Sequence, residues 1–186
     1  VTLATNHTLD RGSDAVLSSR KYWDSQEDVL AVGSYDSFES QENIPVAEIN
    51  GITYAVLNYT YGTNGIPVPE GEEYLVNLWP TDLSINDPSI DTEYQAYKEQ
   101  VAEDIDKIRD KVDLLIVAMH WGVEYTHAPT EYQLDAAEFL SEHNVDVIIG
   151  SHPHVIQPVA WVNDTLVFYS LGNFVSYEIN IDEWPE

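Results

Sequence analysis

The chain has 186 residues, of which 44% are hydrophobic, so it can build one domain with a real core and is too short to indicate two. Seven Lys and Arg residues against 33 Asp and Glu residues give a formal net charge of −26. Such a surface repels phosphate backbones and anionic headgroups, which argues against nucleic-acid and peripheral membrane binding. The chain has no cysteine, which excludes disulfides, thiolate catalysis and Cys-ligated zinc.

The first half of the chain alternates predicted strands and helices. An Asn50-Gly51 pair between two apolar runs is a strong hairpin signal, and Ser13 has the residue type of a helix N-cap. A long segment rich in Gly, Pro, Asn and Asp is either a functional or a mobile loop. The predicted elements are a strand at Val1–Thr5, a helix from Ser13 to about Ser25, a strand at Val29–Val32, a hairpin of Val46–Ile49 with Ile52–Asn58, and the loop Tyr59–Ile90.

The second half continues the alternation. Apolar residues at helical spacing predict an amphipathic helix, and Thr130 with Gln133 fits a capping box. Buried strands joined by helices imply a largely parallel sheet, and the two hairpins add antiparallel strands. We therefore predict an α/β fold of mixed sheets with helices outside. The elements are a helix at Thr92–Lys111, a strand at Leu114–Met119, a helix from Thr130 to near His143, a strand at Val145–Ile149, and a hairpin of Pro158–Val162 with Thr165–Ser170.

The sequence supports a prediction for each end of the chain. The sequence opens inside an apolar segment without Met, so we expect a piece of a longer protein with an N-terminal strand and helix of the fold upstream. We predict that residues 1–177 form this partial domain. The acidic segment Glu178–Glu186 is predicted to be a poorly ordered tail.

Polar side chains with metal-binding chemistry follow three predicted strands. His152 and His154 come after Val145–Ile149, His120 follows Leu114–Met119, and Asn6 follows the first strand. Ligands collect at the carboxyl ends of strands in open α/β sheets. Imidazole nitrogens and amide oxygens suit borderline divalent metals. Any one of these histidines alone is better explained as a core or surface residue, but together they predict a shared metal site.

Four motifs in order then resemble a known family. They are Asn6–Gly12, Met119–Tyr125, Gly150–Pro158 and Tyr169–Phe174. Together they resemble the bacterial capsule synthesis proteins of the CapA or PgsA type, which are associated with poly-γ-glutamate and are similar to calcineurin-like metallophosphoesterases. The resemblance implies mixed sheets sandwiched by helices in four layers, with two metals at the strand ends. It also implies a place on the extracellular face of the bacterial membrane, anchored by a segment outside this chain.

The resemblance also implies residue roles. His7 would be the general acid, oriented by Asp10, which could alternatively be only a turn residue. The family's first Asp-x-His and its bridging Asp would lie upstream of Val1, so we do not expect catalysis from this chain alone. The implied cofactors are divalent Mn, Fe or Zn ions, with two sites only in the full-length protein. The implied metal ligands are Asn6, His120, His152 and His154.

Three further residues of these motifs each allow two interpretations. Trp121 either lines a substrate groove or is a buried aromatic, and Glu124 either supports the site or is a solvated charge. Asn173 either contacts the site or belongs to a tight turn beneath it. His127 and His143 have no motif around them and are predicted to be ordinary surface residues.

Three functions remain open. The first is capsule biosynthesis with a metallophosphoesterase-like site, and the second is an active phosphoesterase acting on a small or cell-envelope phosphoester. The third is an inactive binding module of a capsule-synthesis complex. The expected partners are polyglutamate or a phosphoester, other capsule-synthesis membrane subunits, and a second copy paired along the open sheet edge. Because the chain is so acidic, it can contact a polyanion only through metal ions or a local pocket.

Overall fold

A computed structural model describes residues 1–175, so the predicted tail and the domain limit at residue 177 lie outside the described residues. The described part contains strands and helices joined by loops with short 3₁₀ turns. The strands are β1 (Ala47–Ile49), β2 (Ile52–Thr60), β3 (Leu114–His120), β4 (Val147–Ser151), β5 (Val159–Val162) and β6 (Thr165–Phe168). The α-helices are α1 (Ser13–Asp24), α2 (Phe38–Glu42), α3 (Thr92–Ile108) and α4 (Glu131–Glu142).

The strands form one mixed sheet in the order β1-β2-β3-β4-β6-β5. Strands β2, β3, β4 and β6 are parallel to one another, and β1 and β5 each close an antiparallel hairpin at an edge. The predicted mixed α/β fold is therefore confirmed. All strands described between residues 1 and 175 belong to this sheet, so the second sheet implied by the four-layer resemblance is not part of them.

The main core lies on one face of the sheet, against α3 and α4. Successive strand residues point to opposite faces, and every second residue of the central strands is buried on this side. The helices supply matching apolar side chains at helical spacing. Core residues that are at most 2% exposed include Ala55, Leu57, Val101, Ile105, Leu115, Val117, Leu140, Ile148 and Val167.

The N-terminal segment crosses the other face of the sheet at β2. The Asn58 side chain accepts a hydrogen bond from the Ala4 N–H at 2.8 Å and donates one to the Ala118 carbonyl at 3.1 Å. Ala4 and Leu9 pack in a second buried cluster with Val16 of α1. These contacts fix the first residues of the chain beside the end of β3.

Three local predictions are wrong. The predicted strands Val1–Thr5 and Val29–Val32 do not form, and only a single parallel bridge joins Thr2 to Val32. The strand pairing stops at Ala4 because its N–H donates to the Asn58 side chain and not to a backbone carbonyl. Ser13 is the first residue of α1, and Gly12 is its N-cap. The Ser13 hydroxyl instead donates a hydrogen bond to Glu72 at 2.6 Å. Across the described residues, no helix has the length and apolarity needed to cross a membrane.

Candidate metal centre at the carboxyl edge of the sheet

The structure brings the predicted metal ligands together at the carboxyl ends of β3 and β4. The His120 Nε2 and Asn6 Oδ1 atoms are 2.8 Å apart, although the two residues are 114 positions apart in sequence. The ring centroids of His120 and His152 are 4.9 Å apart, and those of His152 and His154 are 6.0 Å apart. Asn6 and His152 are buried. Four side chains predicted from three separate motifs thus form one cluster.

His120 is oriented by the neighbouring strand. Its Nδ1 lies 3.0 Å from the Ser151 hydroxyl, which itself lies 3.4 Å from the Met119 carbonyl. An amide oxygen can only accept, so Nε2–H donates to Asn6 Oδ1 and Nδ1 accepts from the Ser151 hydroxyl. A bound cation would replace the proton on Nε2, and Nδ1–H would then donate to Ser151. Two ligand atoms about 2.1 Å from one metal ion, at roughly right angles, lie about 3 Å apart. The pair therefore fits adjacent ligands of a cation.

The environment keeps two of the imidazoles neutral. Burial lowers the pKa of His120 to about 3, and the nearby His152, His154 and His7 lower it in the same direction. Burial also lowers the pKa of His152, although the Glu124 carboxylate opposes this shift. Neutral imidazole is the form that binds metal, so the site holds these ligands in their binding state at neutral pH.

A second set of ligand atoms lies beside the first. Single ligand atoms of Glu124, His152 and His154 all lie within 4.8 Å of one another, so these three residues could hold a metal ion. The His154 Nε2 atom is 3.7 Å from Glu124 Oε1. The His154 Nδ1 atom lies 2.9 Å from the Asn173 Oδ1 atom, and an amide oxygen can only accept, so Nδ1 donates and Nε2 remains free for a metal.

The turn after β4 has the backbone of a constrained site. His152 and His154 have φ angles of 99° and 61°, in the left-handed region that residues with a Cβ seldom adopt. Each such residue costs about 1–3 kcal/mol, and such residues cluster at functional sites. Gly150 is required by packing, because a Cβ there would lie 1.9 Å from the Tyr169 carbonyl oxygen and 2.5 Å from Trp121 Nε1.

The structure decides between the alternatives for three neighbouring residues. Trp121 is buried and its indole N–H donates to the Tyr169 carbonyl at 2.8 Å, which matches its interpretation as a buried aromatic. Asn173 contacts the site directly through His154. Glu124 has its carboxylate beside two histidines, which makes it a candidate ligand.

The predicted His7–Asp10 pair is formed at the exposed rim of the cluster. The His7 Nδ1 and Asp10 Oδ2 atoms are 2.7 Å apart, and this hydrogen bond lowers the pKa of the Asp10 carboxyl. A carboxylate on one ring nitrogen sets the tautomer of an imidazole, which prepares the other nitrogen for proton transfer. The geometry is therefore that of an oriented acid–base histidine.

Two residues of the site were missed in the sequence. Asn64 accepts from the Asn6 side chain at 2.9 Å, and its own amide nitrogen lies 3.2 Å from His7 Nδ1 and 3.4 Å from Asp10 Oδ1. The Tyr61 ring covers the cluster, with its centroid 4.7 Å from that of His152. Both residues lie in the segment predicted as a functional or mobile loop. The Asn64-Gly65 pair predicts a turn there, and it was the one local sequence signal that could have drawn attention to Asn64.

The two histidines without a motif are bonded to backbone carbonyls instead. The His127 Nδ1 atom lies 3.2 Å from the Ile156 carbonyl oxygen. The His143 Nδ1 atom lies 2.9 Å from the Phe139 carbonyl oxygen at the C-terminus of α4. Neither belongs to the group of potential metal ligands found among the described residues.

A family model described as "Bacterial capsule synthesis protein PGA_cap" matches residues 1–178. The chain belongs to the bacterial capsule synthesis protein family. Two curated proteins show the same similarity. The PGA biosynthesis protein CapA of Bacillus subtilis (strain 168) is 29% identical over 174 residues, which cover 92% of this chain and 41% of that protein.

The second relative is the Capsule biosynthesis protein CapA of Bacillus anthracis. It is 31% identical over 173 residues, which cover 93% of this chain and 39% of the relative. The chain thus spans about two fifths of the length of the curated relatives it matches. The resemblance in the four sequence motifs is confirmed as membership of the bacterial capsule synthesis protein family.

Proposed function

We propose that this chain is a divalent-metal-binding domain of a capsule biosynthesis protein. The observation that carries the proposal is the arrangement of Glu124, His152 and His154, whose ligand atoms lie within 4.8 Å of one another beside His120 and Asn6. The names of the two relatives support the biological role. The donor set contains nitrogen and oxygen atoms without thiolates, which suits Mn, Fe or Zn.

The charge of the chain indicates what the metal does for an anionic substrate. A domain with a formal charge of −26 repels polyglutamate, so a productive contact requires a local cation. A bound divalent ion would polarise a phosphoryl or carboxylate oxygen placed at the strand ends. Glu124, His152 and His154 would hold this ion, and Asn6 and His120 would face the neighbouring position beside His152. The full-length protein would supply the bridging carboxylate of a second site.

The proposed setting follows the family resemblance. The domain would work on the extracellular face of the bacterial membrane, anchored through a segment outside this chain and assembled with other capsule-synthesis membrane subunits. In that position the site would meet the polymer as it is made or exported. Nothing in this placement requires the chain itself to cross the membrane.

Metal binding is the direct test. Titration of the purified chain with Mn²⁺ or Zn²⁺ in a calorimeter should show saturable binding that His154→Ala weakens at least tenfold, because one imidazole ligand is lost. His143→Ala is the matched control, since it removes an imidazole at the other end of α4 and should leave the affinity unchanged. Equal affinity of wild type and His154→Ala would overturn the proposal.

Polymer binding tests the role of the metal. With Mn²⁺ present, immobilised poly-γ-glutamate should retain the metal-loaded protein, and EDTA should release it. Retention that is the same with and without EDTA would show that the contact does not pass through a metal ion.

A second candidate function is phosphoesterase activity, which the His7–Asp10 contact of 2.7 Å favours. Manganese-stimulated hydrolysis of an alkyl phosphomonoester such as glycerol phosphate, whose alkoxide leaving group needs a proton, should fall by about 10²–10⁴-fold in His7→Gln of the full-length protein, as expected for loss of a general acid. Asp10→Asn should fall less, because the imidazole stays but loses its orientation. Asp14→Asn, an exposed acid in α1, is the control and should keep full activity. Activity that survives His7→Gln unchanged would remove this candidate.

A further inference from the structure

Asn64 lies between the candidate metal ligand Asn6 and the acid–base pair of the site. Its side-chain oxygen accepts a hydrogen bond from Asn6 Nδ2 at 2.9 Å. Its side-chain nitrogen lies 3.4 Å from Asp10 Oδ1 and 3.2 Å from His7 Nδ1. One amide group thus contacts the buried cluster with its oxygen and the pair at the exposed rim with its nitrogen.

The hydrogen-bond directions at the rim follow from the shortest contact. His7 Nδ1 is 2.7 Å from Asp10 Oδ2, and a carboxylate can only accept, so Nδ1–H donates to it. Nδ1 then has no lone pair to accept from Asn64, and the Asn64 N–H donates to Asp10 Oδ1. The Asp10 carboxylate therefore accepts one hydrogen bond on each oxygen, from His7 and from Asn64.

On the buried side, the same amide decides which way the Asn6 side chain faces. Asn6 Nδ2 can only donate, and Asn64 Oδ1 can only accept. Their contact leaves Asn6 Oδ1 facing His120, whose Nε2 is 2.8 Å from it. Because Asn binds a cation through its amide oxygen, Asn64 orients the atom that a metal ion needs.

The turn that carries Asn64 is held to the strand that carries His120. The Tyr61 N–H donates to the His120 carbonyl at 2.9 Å, and the Ile66 N–H donates to the Thr63 carbonyl at 2.9 Å. Asn64 has a φ of 53°, in the left-handed region that Asn adopts more readily than most residues. The Asn64 side chain therefore starts from an anchored turn.

The acid–base pair needs this support because it is exposed. The His7 side chain is 66% exposed and the Asp10 side chain is 42% exposed. Contacts between exposed charged groups contribute little by themselves. Asn6, in contrast, is 5% exposed. Through Asn64, the ordered and buried Asn6 side chain supports the Asp10 carboxylate at the rim.

We propose that Asn64 is a positioning residue that joins the candidate metal ligand Asn6 to the His7–Asp10 pair. This inference rests on the proposed metal-binding function. Asn64 holds the Asn6 amide with one end and the Asp10 carboxylate with the other, so that the geometry of the two is coupled. A metal-assisted hydrolysis needs both groups in place at once, and one shared partner provides that alignment.

Asn64→Gly is the diagnostic variant. It removes both contacts without straining the turn, because Gly tolerates a positive φ. Asn64→Asp is the conservative variant, because Asp also tolerates a positive φ and keeps an oxygen acceptor for Asn6. Asn50→Gly is the matched control, because Asn50 also precedes a glycine, has the same φ of 53° and lies in the turn between β1 and β2. Circular dichroism checks that all three variants fold.

Metal affinity measures the contact with Asn6. In a calorimetric titration of the full-length protein with Mn²⁺ or Zn²⁺, His120→Ala identifies the binding step at the position that Asn6 and His120 face. Asn64→Gly should weaken that step by about 10–100-fold, the usual effect of losing a partner that orients a ligand. Asn64→Asp should bind at least as tightly as wild type, since the acceptor remains and a negative charge is added. Asn50→Gly should match wild type.

The outcomes distinguish this inference from the proposed function. A His120-dependent step that Asn64→Gly leaves unchanged would overturn the inference alone. The absence of any step that depends on His120 would also overturn it, because Asn6 would then be no ligand. The proposed function is tested separately by His154→Ala, which removes a ligand that Asn64 does not contact.

The tautomer of His7 measures the contact with Asp10 without metal or activity. NMR of the ring nitrogens, in the metal-free protein at a pH at which the imidazole is neutral, should show Nδ1–H in wild type, because this proton faces Asp10. Asn64→Gly should lose this preference and Asn50→Gly should keep it. Asn64→Asp should also keep it, because the new carboxylate is a second acceptor for Nδ1–H. The same tautomer in Asn64→Gly as in wild type would show that Asp10 holds His7 without Asn64, which contradicts the proposal.

Discussion

Ser151 contacts His120 in the candidate metal centre and is not itself one of the proposed ligands. Its hydroxyl lies 3.0 Å from His120 Nδ1 and fixes the ring so that Nε2 faces Asn6. Ser151→Ala should weaken Mn²⁺ or Zn²⁺ binding by about 10–100-fold, the usual effect of removing a partner that orients a ligand. Calorimetric titration measures it, with Ser141→Ala in α4 as the control. An unchanged affinity in Ser151→Ala would show that the hydroxyl does not orient the ligand.

Gly150 is the residue whose replacement the structure tolerates least at this edge. A Cβ at Gly150 would lie 1.9 Å from the Tyr169 carbonyl oxygen, a backbone atom that cannot simply rotate away. Gly150→Ala should lower the free energy of unfolding by about 1–3 kcal/mol, as overpacking does. Urea denaturation followed by fluorescence measures the loss. Gly62→Ala is the control, because a Cβ there meets nothing within 4 Å. Equal stability of the two variants would contradict this packing.

At the scale of elements, the start of α4 is tied to the loops around the site. Thr130 and Gln133 form the predicted capping box, and Gln133 also donates to the buried Gln157 side chain at 2.8 Å. Gln157 in turn donates to the Thr126 carbonyl at 2.7 Å. The helix cap therefore holds the loop that carries Glu124.

Thr130→Ala should lower the free energy of unfolding by about 1 kcal/mol, because one N-terminal N–H of α4 loses its acceptor. Thermal unfolding followed by circular dichroism measures the change. Thr130→Ser keeps the hydroxyl and should recover most of the stability. If the serine variant is as unstable as the alanine variant, the lost methyl group, and not the cap, causes the effect.

Elements with a complete local signal were predictable from the sequence. The Asn50-Gly51 hairpin, the amphipathic α3 and the capping box of α4 depend on residues a few positions apart, and all three are confirmed. The predicted first strand is wrong, because the Ala4 N–H bonds to the side chain of Asn58, 54 positions away, and only one bridge, between Thr2 and Val32, remains. An apolar run alone cannot reveal such a contact.

The candidate site also has a part that the sequence predicts and a part that it does not. Its histidines lie in motifs that follow predicted strands, so the sequence alone placed them together at the carboxyl edge of the sheet. Asn64 lies in a loop without periodicity, and its three contacts arise only when the loop folds back over Asn6 and His7. The position of Glu124 depends on the turn before Tyr125, whose φ of 57° no local pattern predicts.

At the scale of the whole molecule, charge should control stability. The chain has 33 acidic and only seven basic residues, so most of its negative charges are not balanced. These negative charges repel one another most strongly in the compact folded state. Raising ionic strength from about 0.01 M to about 1 M shortens the Debye length from about 30 Å to about 3 Å, so the urea midpoint should increase. NaCl and KCl should give the same increase, since screening depends on ionic strength. A rise with only one of them would indicate specific cation binding.

The contact between Asn6 and His120 also has a consequence for how the protein is made. These residues are 114 positions apart, and His154 follows 34 positions later still, counted as 154 minus 120. At about 5–20 residues per second, a ribosome needs roughly 7–30 seconds to go from Asn6 to His154. During that time the nascent chain has no complete cage for an ion. Under the proposed function, metal capture would therefore be a late event in its biosynthesis and would not nucleate the first folded structure.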